Sequence, residues 1–274
     1  MISDIHAIDV HAHFGDYRRA GNIELSNNFA SGDAETVVRR ATDANVSTTI
    51  ASPLLGLLPR GEANTFHGNR EAVEIVEATA GLLQWVIVNP LQPQTYQQAA
   101  DMLKRPKCVG IKLHPEEHVY PIVEYGQELF EFASQHNAVV LAHSGDPNSL
   151  PADFLPFANA FSNVSLILAH LGNGGGATGD PTLQVRAVQE SKHGNVFTDT
   201  SSARSISPGL IEWAVQEIGS DRILFGTDSP LYHTGMQSIR IDQADISADD
   251  KMKILRGNAV KLWTPKLFEE HQSC

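Results

Sequence analysis

Two histidines near the start of the chain, His11 and His13, are spaced to bind one metal ion. They follow the apolar residues Ile8 and Val10, in a segment whose composition predicts a β-strand. Side chains alternate between the two faces of a strand, so both imidazoles point the same way and can reach one cation. Because the chain has 12 histidines in 274 residues, such a pair also arises by chance. Other segments must therefore supply further ligands.

Five more residues that can bind metal or transfer protons lie where predicted strands end. They are Lys112, His114, His143, His170 and Asp228. A lone histidine near a strand end is more often a hydrogen-bonded packing residue than a ligand. Several of them on successive strands point to a shared site, because the carboxyl ends of parallel barrel strands converge on one face.

Segments that resemble strands and helices alternate along the chain. Apolar runs predict strands over residues 5–10, 46–51, 82–88, 108–113, 138–142, 164–169, 196–200 and 222–225. Apolar residues at helical spacing predict helices over 36–45, 70–80, 93–104, 122–135, 151–161, 181–192, from Ser207-Pro208 to Gly219, and over 247–262. Segments 14–32, 173–180 and 229–246 are predicted to be long loops. The last strand in this scheme ends just before Asp228.

This alternation predicts the fold class. Eight strands alternating with eight helices in roughly 250 residues are typical of a (β/α)8 TIM barrel, here as a single domain over residues 1–274. An open, doubly wound parallel sheet is the alternative. That fold favours a glycine-rich phosphate turn after its first strand, where this chain has two histidines.

Composition narrows the classes of partner. The formal net charge of -12 opposes binding to nucleic acid and to anionic membranes. No apolar run approaches the length of a membrane span, and only two cysteines are present, which fits a reducing compartment. We expect a cytoplasmic protein that acts on a small molecule. A homodimer is left open, since Trp263, Leu267 and Phe268 near the C-terminus can serve an interface or pack on the barrel.

Six short segments carry the candidate residues, and in this order they resemble one family. The segments are Ile8-Asp9-Val10-His11-Ala12-His13, Gly110-Ile111-Lys112-Leu113-His114-Pro115, Leu141-Ala142-His143-Ser144-Gly145, Leu168-Ala169-His170-Leu171-Gly172, Leu224-Phe225-Gly226-Thr227-Asp228-Ser229-Pro230 and Gly257-Asn258-Ala259. Together they resemble the amidohydrolase superfamily, most closely its amidohydrolase-2 family of metal-dependent hydrolases and decarboxylases.

The resemblance implies a divalent metal and two catalytic residues. The implied metal ligands are His11, His13, His143 and Asp228. Imidazoles with one carboxylate suit Zn²⁺ best, with Mn²⁺ or Fe²⁺ as alternatives. Asp228 would also accept the proton of an attacking water, and His170 would polarise the substrate or hydrogen-bond that water.

Lys112 has two readings in this family. In two-metal relatives a carbamylated lysine bridges the ions, and His170 then binds the second metal. In one-metal members the lysine would contact the substrate. We favour one ion over two. The expected substrate-binding residues are Lys112, His114, Arg204 and His233, with Arg18 as a further cation on a rim loop.

Three functions follow from this reading. The first is hydrolysis of a small lactone, cyclic amide or ester by metal-activated water. The alternative is non-oxidative decarboxylation of an aromatic or unsaturated carboxylic acid, since the same ligands can hold the acid while its carbon is protonated. A catalytically silent binding barrel that keeps the motifs is the third.

Overall fold

Eight parallel strands form one sheet in the order β1 to β8. The computed structural model describes residues 5–174, 176–201 and 206–263. The strands are β1 Ala7–Phe14, β2 Val46–Pro53, β3 Leu82–Ile87, β4 Cys108–Leu113, β5 Val139–Ala142, β6 Leu166–Leu168, β7 Val196–Asp199 and β8 Ile223–Leu224. The Val10 N–H donates to the carbonyl of Phe225 (2.9 Å), and Ala12 forms a parallel bridge with Ser229. These contacts bring β8 beside β1 in a nearly closed ring. The predicted (β/α)8 barrel is therefore confirmed, and the open sheet is excluded.

The helices pack around the ring. They are α1 Glu24–Phe29, α2 Ala34–Asp43, α3 Thr65–Ala78, α4 Gln94–Met102, α5 Pro115–His118, α6 Ile122–Gln135, α7 Leu155–Ala160, α8 Leu183–Glu190, α9 Leu210–Ile218, α10 Thr234–Asp242, α11 Ala248–Met252 and α12 Asn258–Trp263. A π-helical turn, Lys253–Gly257, joins α11 to α12. No helix in the described ranges is both long and apolar enough to span a bilayer.

The barrel interior is apolar at the end where the strands begin. Buried Ile8, Ile50 and Leu141 share one cluster with the indoles of Trp85 and Trp263. The two indole rings meet edge to face with centroids 5.7 Å apart. This packing closes one end of the barrel, so polar side chains can converge only at the other. Of the three C-terminal residues proposed for a dimer interface, Trp263 packs on the barrel, and Leu267 and Phe268 lie outside the described residues.

Several predicted boundaries are wrong in an instructive way. β1 extends through Phe14, so His11 and His13 lie within it and not after it. α9 begins at Leu210 with Gly209 (φ 80°) before it, so Ser207-Pro208 does not cap that helix. The predicted loops 14–32 and 229–246 contain α1 and α10. In α10 two of the three buried residues, Thr234 and Gln237, are polar, so the segment carries no apolar helical pattern.

A glycine on α3 supports the wall of the barrel mouth. A Cβ on Gly68 would lie 2.5 Å from the backbone nitrogen and 2.6 Å from the Cα of Gly56, in the turn that follows β2. G68A should therefore lower the free energy of unfolding by about 1–3 kcal/mol, although alanine has the better helix propensity. G257A is the matched control, because the nearest atom to its Cβ is 3.7 Å away. Denaturant titration measures both, and a G68A variant as stable as wild type would contradict the close contact.

Candidate metal centre

Most of the predicted site residues come together at the carboxyl end of the barrel. They are His11 and His13 in β1, Lys112 in β4, His143 directly after β5, His170 after β6 and Asp228 after β8. His143 is partly exposed and the others are buried. His170 and Asp228 both have left-handed backbones, with φ of 71° and 57°. Such strain is costly for residues with a Cβ and is commonly found at functional sites.

Two groups of possible metal ligands share His11 in the described residues: His170 and Asp199 complete one, and His13 and Asp228 complete the other. Asp228 Oδ1 lies 3.0 Å from Nε2 of His13 and 3.7 Å from Nε2 of His11. One ligand atom from each of the three residues lies within 4.8 Å of the other two. The carboxylate thus faces the same nitrogen of both imidazoles, as ligands of one cation require.

The other ring nitrogen of each β1 histidine is held from behind. His11 Nδ1 lies 2.9 Å from Asp199 Oδ2, and His13 Nδ1 lies 2.9 Å from Ser52 Oγ. The Asp199 carboxylate only accepts, so it holds His11 in the tautomer in which Nε2 keeps its lone pair for a metal, and the Ser52 hydroxyl can accept from His13 Nδ1–H in the same way. Sequence reasoning missed Asp199, although a carboxylate at the last position of β7 was a signal available in the sequence.

His143 and His170 form a second pair beside this group. His143 Nδ1 lies 3.0 Å from His170 Nε2, and His143 Nε2 lies 2.7 Å from Asp146 Oδ2. His170 Nδ1 lies 2.8 Å from Ser201 Oγ. The His11 and His170 rings are 4.9 Å apart, so the pair adjoins the β1 histidines. The structure thus places the four predicted ligands in two adjacent groups, and His143 as a ligand stays a prediction.

Lys112 lies among the ligands and does not line the cavity described below. It is fully buried, and its Nζ lies 2.7 Å from His11 Nε2. Burial lowers the pKa of Lys112 to about 8, against the opposing effect of the Asp228 and Asp199 charges. The amine is therefore within reach of the neutral state that carbamylation needs, and direct contact with a substrate would require rearrangement.

The protonation states of the side chains in this site favour the binding of a cation. Burial lowers the pKa of His13 to about 4 and that of His170 to about 3. Burial alone would raise the pKa of Asp228, but the hydrogen bond with His13 and the neighbouring histidines hold it well below its usual range. At neutral pH these imidazoles are uncharged and the carboxylate is ionised, which are the protonation states that metal ligands need. The donor set therefore fits a divalent metal.

A cavity of about 530 Å³ opens onto these groups. Its inner end contains His13, His143, His170 and Asp228, and its wall includes Leu54, Leu57, Leu58 and Leu231. Leu54, Leu57 and Leu58 follow β2, which lies across the ring from β6. This volume is in the range of small-ligand pockets.

The predicted substrate-binding residues differ in their placement. His114 lines the cavity and stacks on His143, with ring centroids 4.3 Å apart and planes at 11°. His233 is exposed beside the first residue of α10 and is not among the residues that line the cavity. Arg18 is exposed and pairs with Asp16. Arg204 lies outside the described residues.

Sequence reasoning also missed an ionic cluster at the outer end of the cavity. Glu117 of α5 is buried and accepts hydrogen bonds from Arg60 at 3.0 and 3.1 Å and from Arg19. The cluster ties the loops after β1, β2 and β4 together. No local sequence pattern predicts this cluster, because Arg19, Arg60 and Glu117 are far apart in the chain.

A comparison with protein families agrees with the geometry at the carboxyl end of the barrel. The amidohydrolase family model of the amidohydrolase-2 type matches residues 8–264. The chain belongs to the amidohydrolase family. This confirms the resemblance seen in the motifs, and with the His/Asp groups it supports a divalent metal. A search of functionally curated proteins finds no match.

Solved structures of low sequence identity share the fold of this amidohydrolase. The 2,6-dihydroxybenzoate decarboxylase of Rhizobium is 14% identical with a TM-score of 0.72, over 94% of this chain and 98% of that one. A dihydroxybenzoic acid decarboxylase from Polaromonas, with bound manganese and 2-nitroresorcinol, is 15% identical with a TM-score of 0.71, over 94% and 96%. The 5-carboxyvanillate decarboxylase of Sphingomonas paucimobilis is 13% identical with a TM-score of 0.69, over 94% and 98%.

Replacing Lys112 separates one-metal from two-metal arrangements in this amidohydrolase. We predict that K112M keeps the same single equivalent of metal as wild type, because a one-ion site needs no lysine bridge. Metal analysis after loading and gel filtration measures the stoichiometry. The control is K107M, whose Nζ contacts backbone carbonyls of Val76 and Thr79, away from the rim. Two equivalents in wild type that fall in K112M alone would contradict this prediction.

Proposed function

We propose that this amidohydrolase is a metal-dependent decarboxylase of an aromatic or unsaturated carboxylic acid. The observation that carries the proposal is the makeup of the cavity, in which a leucine wall and stacked imidazoles enclose the space next to the candidate ligands. A flat, unsaturated ring or chain fits between an apolar wall and the faces of imidazoles. The decarboxylase activities named for the structural relatives support the same choice.

The proposed metal site holds one divalent ion. The residues that would hold it are His11, His13, His143 and Asp228, as the sequence predicts. Their donor set suits Zn²⁺ first, and Mn²⁺, which is bound in the Polaromonas relative, is the alternative. When bound, such an ion supplies positive charge that fixes the substrate's oxygens and stabilises negative charge that develops on them.

The chain's own residues supply position and protons. Leu54, Leu57 and His114 hold the plane of the acid, and Asp228 and His170 border the inner end of the cavity, where they relay a proton from solvent to the substrate. The proton adds to the carbon that bears the carboxylate. The bond from that carbon to the carboxylate then breaks, its electron pair returns to the unsaturated system, and CO₂ leaves. One proton from solvent balances each turnover.

Hydrolysis of a lactone, cyclic amide or ester is the second candidate. It is favoured by the ionised carboxylate of Asp228 at the cavity, which can accept a proton from a water. We rank it second because the structural relatives named above are decarboxylases. A silent binding barrel is the third candidate. Cytoplasmic location and a homodimer stay predictions.

The deciding experiment compares product classes directly. The protein is loaded with Mn²⁺ or Zn²⁺ and incubated in D₂O with hydroxybenzoates, unsaturated acids, lactones, cyclic amides and esters. We expect release of one CO₂ per acid consumed, with one deuterium on the carbon that lost the carboxylate. Lactone, amide or ester cleavage without CO₂ would replace the proposal by the hydrolase.

A variant that lacks one candidate metal ligand tests the third candidate, a catalytically silent binding barrel. H11A should lose both metal and turnover, because His11 Nε2 faces the ligand group. Equal, stoichiometric metal in wild type and H11A would remove His11 from the centre. Metal bound by wild type without conversion of any compound in the panel would favour the binding barrel.

A further inference from the structure

A chain of hydrogen-bonding side chains runs from the cavity wall into the barrel interior. Asp146 Oδ2 lies 2.7 Å from His143 Nε2, and His143 Nδ1 lies 3.0 Å from His170 Nε2. His170 Nδ1 lies 2.8 Å from Ser201 Oγ, which in turn lies 2.5 Å from Asp199 Oδ1. A carboxylate therefore stands at each end of this chain.

The chain can be protonated in two directions. In the first, His143 Nε2–H donates to Asp146, His170 Nε2–H donates to His143 Nδ1, and Ser201 O–H donates to His170 Nδ1. In the second, His143 Nδ1–H donates to His170 Nε2, His170 Nδ1–H donates to Ser201 Oγ, and Ser201 O–H donates to Asp199, so that no hydrogen lies between His143 Nε2 and Asp146. Because a neutral imidazole carries one N–H, the two directions place the lone pair of His143 on different nitrogens.

Asp146 decides between the two directions. An ionised carboxylate only accepts hydrogen bonds, so in the second direction it would face the lone pair of His143 Nε2. The 2.7 Å contact between His143 Nε2 and Asp146 Oδ2 is a hydrogen bond only when His143 carries the hydrogen on Nε2, whereas Asp199 Oδ1 keeps the backbone N–H groups of His170 and Ser201, both at 3.0 Å, in either direction. The first direction is thus favoured, and it leaves the lone pair of His143 on Nδ1, toward His170 and the cavity.

We propose that Asp146 is a positioning residue that holds His143 in the Nε2–H tautomer and so keeps Nδ1 available as a ligand atom. The inference rests on the proposed metal site, in which His143 is a ligand. A ligand histidine held through its second nitrogen by a carboxylate binds metal more tightly than one without that partner. Asp146 would therefore contribute to metal affinity without touching the metal or the substrate's reacting carbon.

Two glycines, Gly176 in the loop after β6 and Gly145 in the loop after β5, contribute to the same arrangement. A Cβ on Gly176 would lie 1.4 Å from Asp146 Oδ1, and one on Gly145 would lie 1.9 Å from the carbonyl oxygen of Asn173. Gly145 also has φ of 100°. Glycine at these positions lets the two loops approach closely enough for Asp146 to meet His143.

The test reads the tautomer of His143 directly. Nitrogen-15 correlation spectra of the metal-free protein at neutral pH should show Nε2–H on His143 in wild type and a shift toward Nδ1–H in D146A and D146N. G176A should shift the same way although Asp146 is retained. Chelator competition should show metal affinity reduced about 10–100-fold in D146A. D153N, the same exchange further along the segment after β5, should leave both readouts unchanged.

Each outcome decides the inference. His143 that keeps Nε2–H in both D146A and D146N would overturn the role of Asp146, and two independent variants guard against a misfolded one. A shift in D146A that is absent from G176A would overturn only the role of Gly176. The spectra need neither metal nor substrate. An unchanged tautomer of His143 is therefore distinguishable from failure of the proposed decarboxylation, which is measured by incubation with the panel of acids.

Discussion

Replacing Asp228 with asparagine should lower kcat/KM by about 10³-fold or more. The carboxylate lies 3.0 Å from His13 Nε2 and 3.7 Å from His11 Nε2, and it is the only anion of the ligand group that it forms with these two histidines. An amide removes that charge from the site. In the proposed reaction it also removes one of the two groups that border the reacting carbon. Steady-state kinetics on the best acid of the panel, with metal analysis of the same sample, measures both losses.

Asparagine is the appropriate substitution because the backbone of Asp228 is left-handed, with φ of 57°. Asparagine tolerates this conformation better than alanine does, so the fold should remain stable. D16N is the control, since Asp16 is an exposed carboxylate on the loop after β1. Full activity in D228N would remove Asp228 from both the metal site and the proton transfer. Loss in both variants would point to a general effect of charge.

The rhythm of the barrel was predictable because each βα unit is built from local patterns. β4 and α6 have the predicted bounds, 108–113 and 122–135, since an apolar run and an apolar helical stripe are each complete in sequence. α10 was not predictable, because it packs polar Thr234 and Gln237 inward. Its inner face is defined by its neighbours in the fold and not by a pattern of its own.

The candidate site also contains some residues that are predictable from the sequence and others that are not. His11, His13 and Asp228 were predictable because residues at the ends of parallel strands must converge. Their partners Ser52, Asp199 and Ser201 were not, since a serine or aspartate beside a histidine is recognised only when the distance is known. Asp146 illustrates the point, because its contact with His143 depends on a loop that contains Gly176.

The choice between hydrolysis and decarboxylation also depended on three dimensions. The motifs serve both reactions, and they predict hydrolysis first. The side chains that support the proposed decarboxylation are in segments that carry no motif, such as Leu54 and Leu57 after β2. The motifs on the strands therefore predict the class of enzyme, whereas the proposed reaction is inferred from the side chains that line the cavity.

Replacing Asp199 with asparagine should weaken metal binding by about 10–100-fold while changing stability little. Burial alone would raise the pKa of Asp199, but its interactions with His11, including the hydrogen bond, lower it to about 2, so the carboxylate is ionised. Its Oδ2 accepts from His11 Nδ1 at 2.9 Å. In D199N the carbonyl oxygen is retained by the backbone N–H groups of His170 and Ser201, which turns the amide nitrogen toward His11. That nitrogen donates, so His11 is driven to the Nε2–H tautomer, which has no lone pair for the metal.

A second buried aspartate on the same rim gives a matched control. Burial raises the pKa of Asp9 to about 8, so this side chain is largely a neutral acid at pH 7 and D9N replaces it with a neutral group of the same shape. Asp9 accepts from the backbone N–H of His11 and does not contact the His11 ring. Chelator competition with Zn²⁺ should therefore separate D199N from D9N and wild type. Equal affinities in all three would show that the tautomer of His11 is not set by Asp199, and the carboxylate behind the ring would then be a support for the backbone alone.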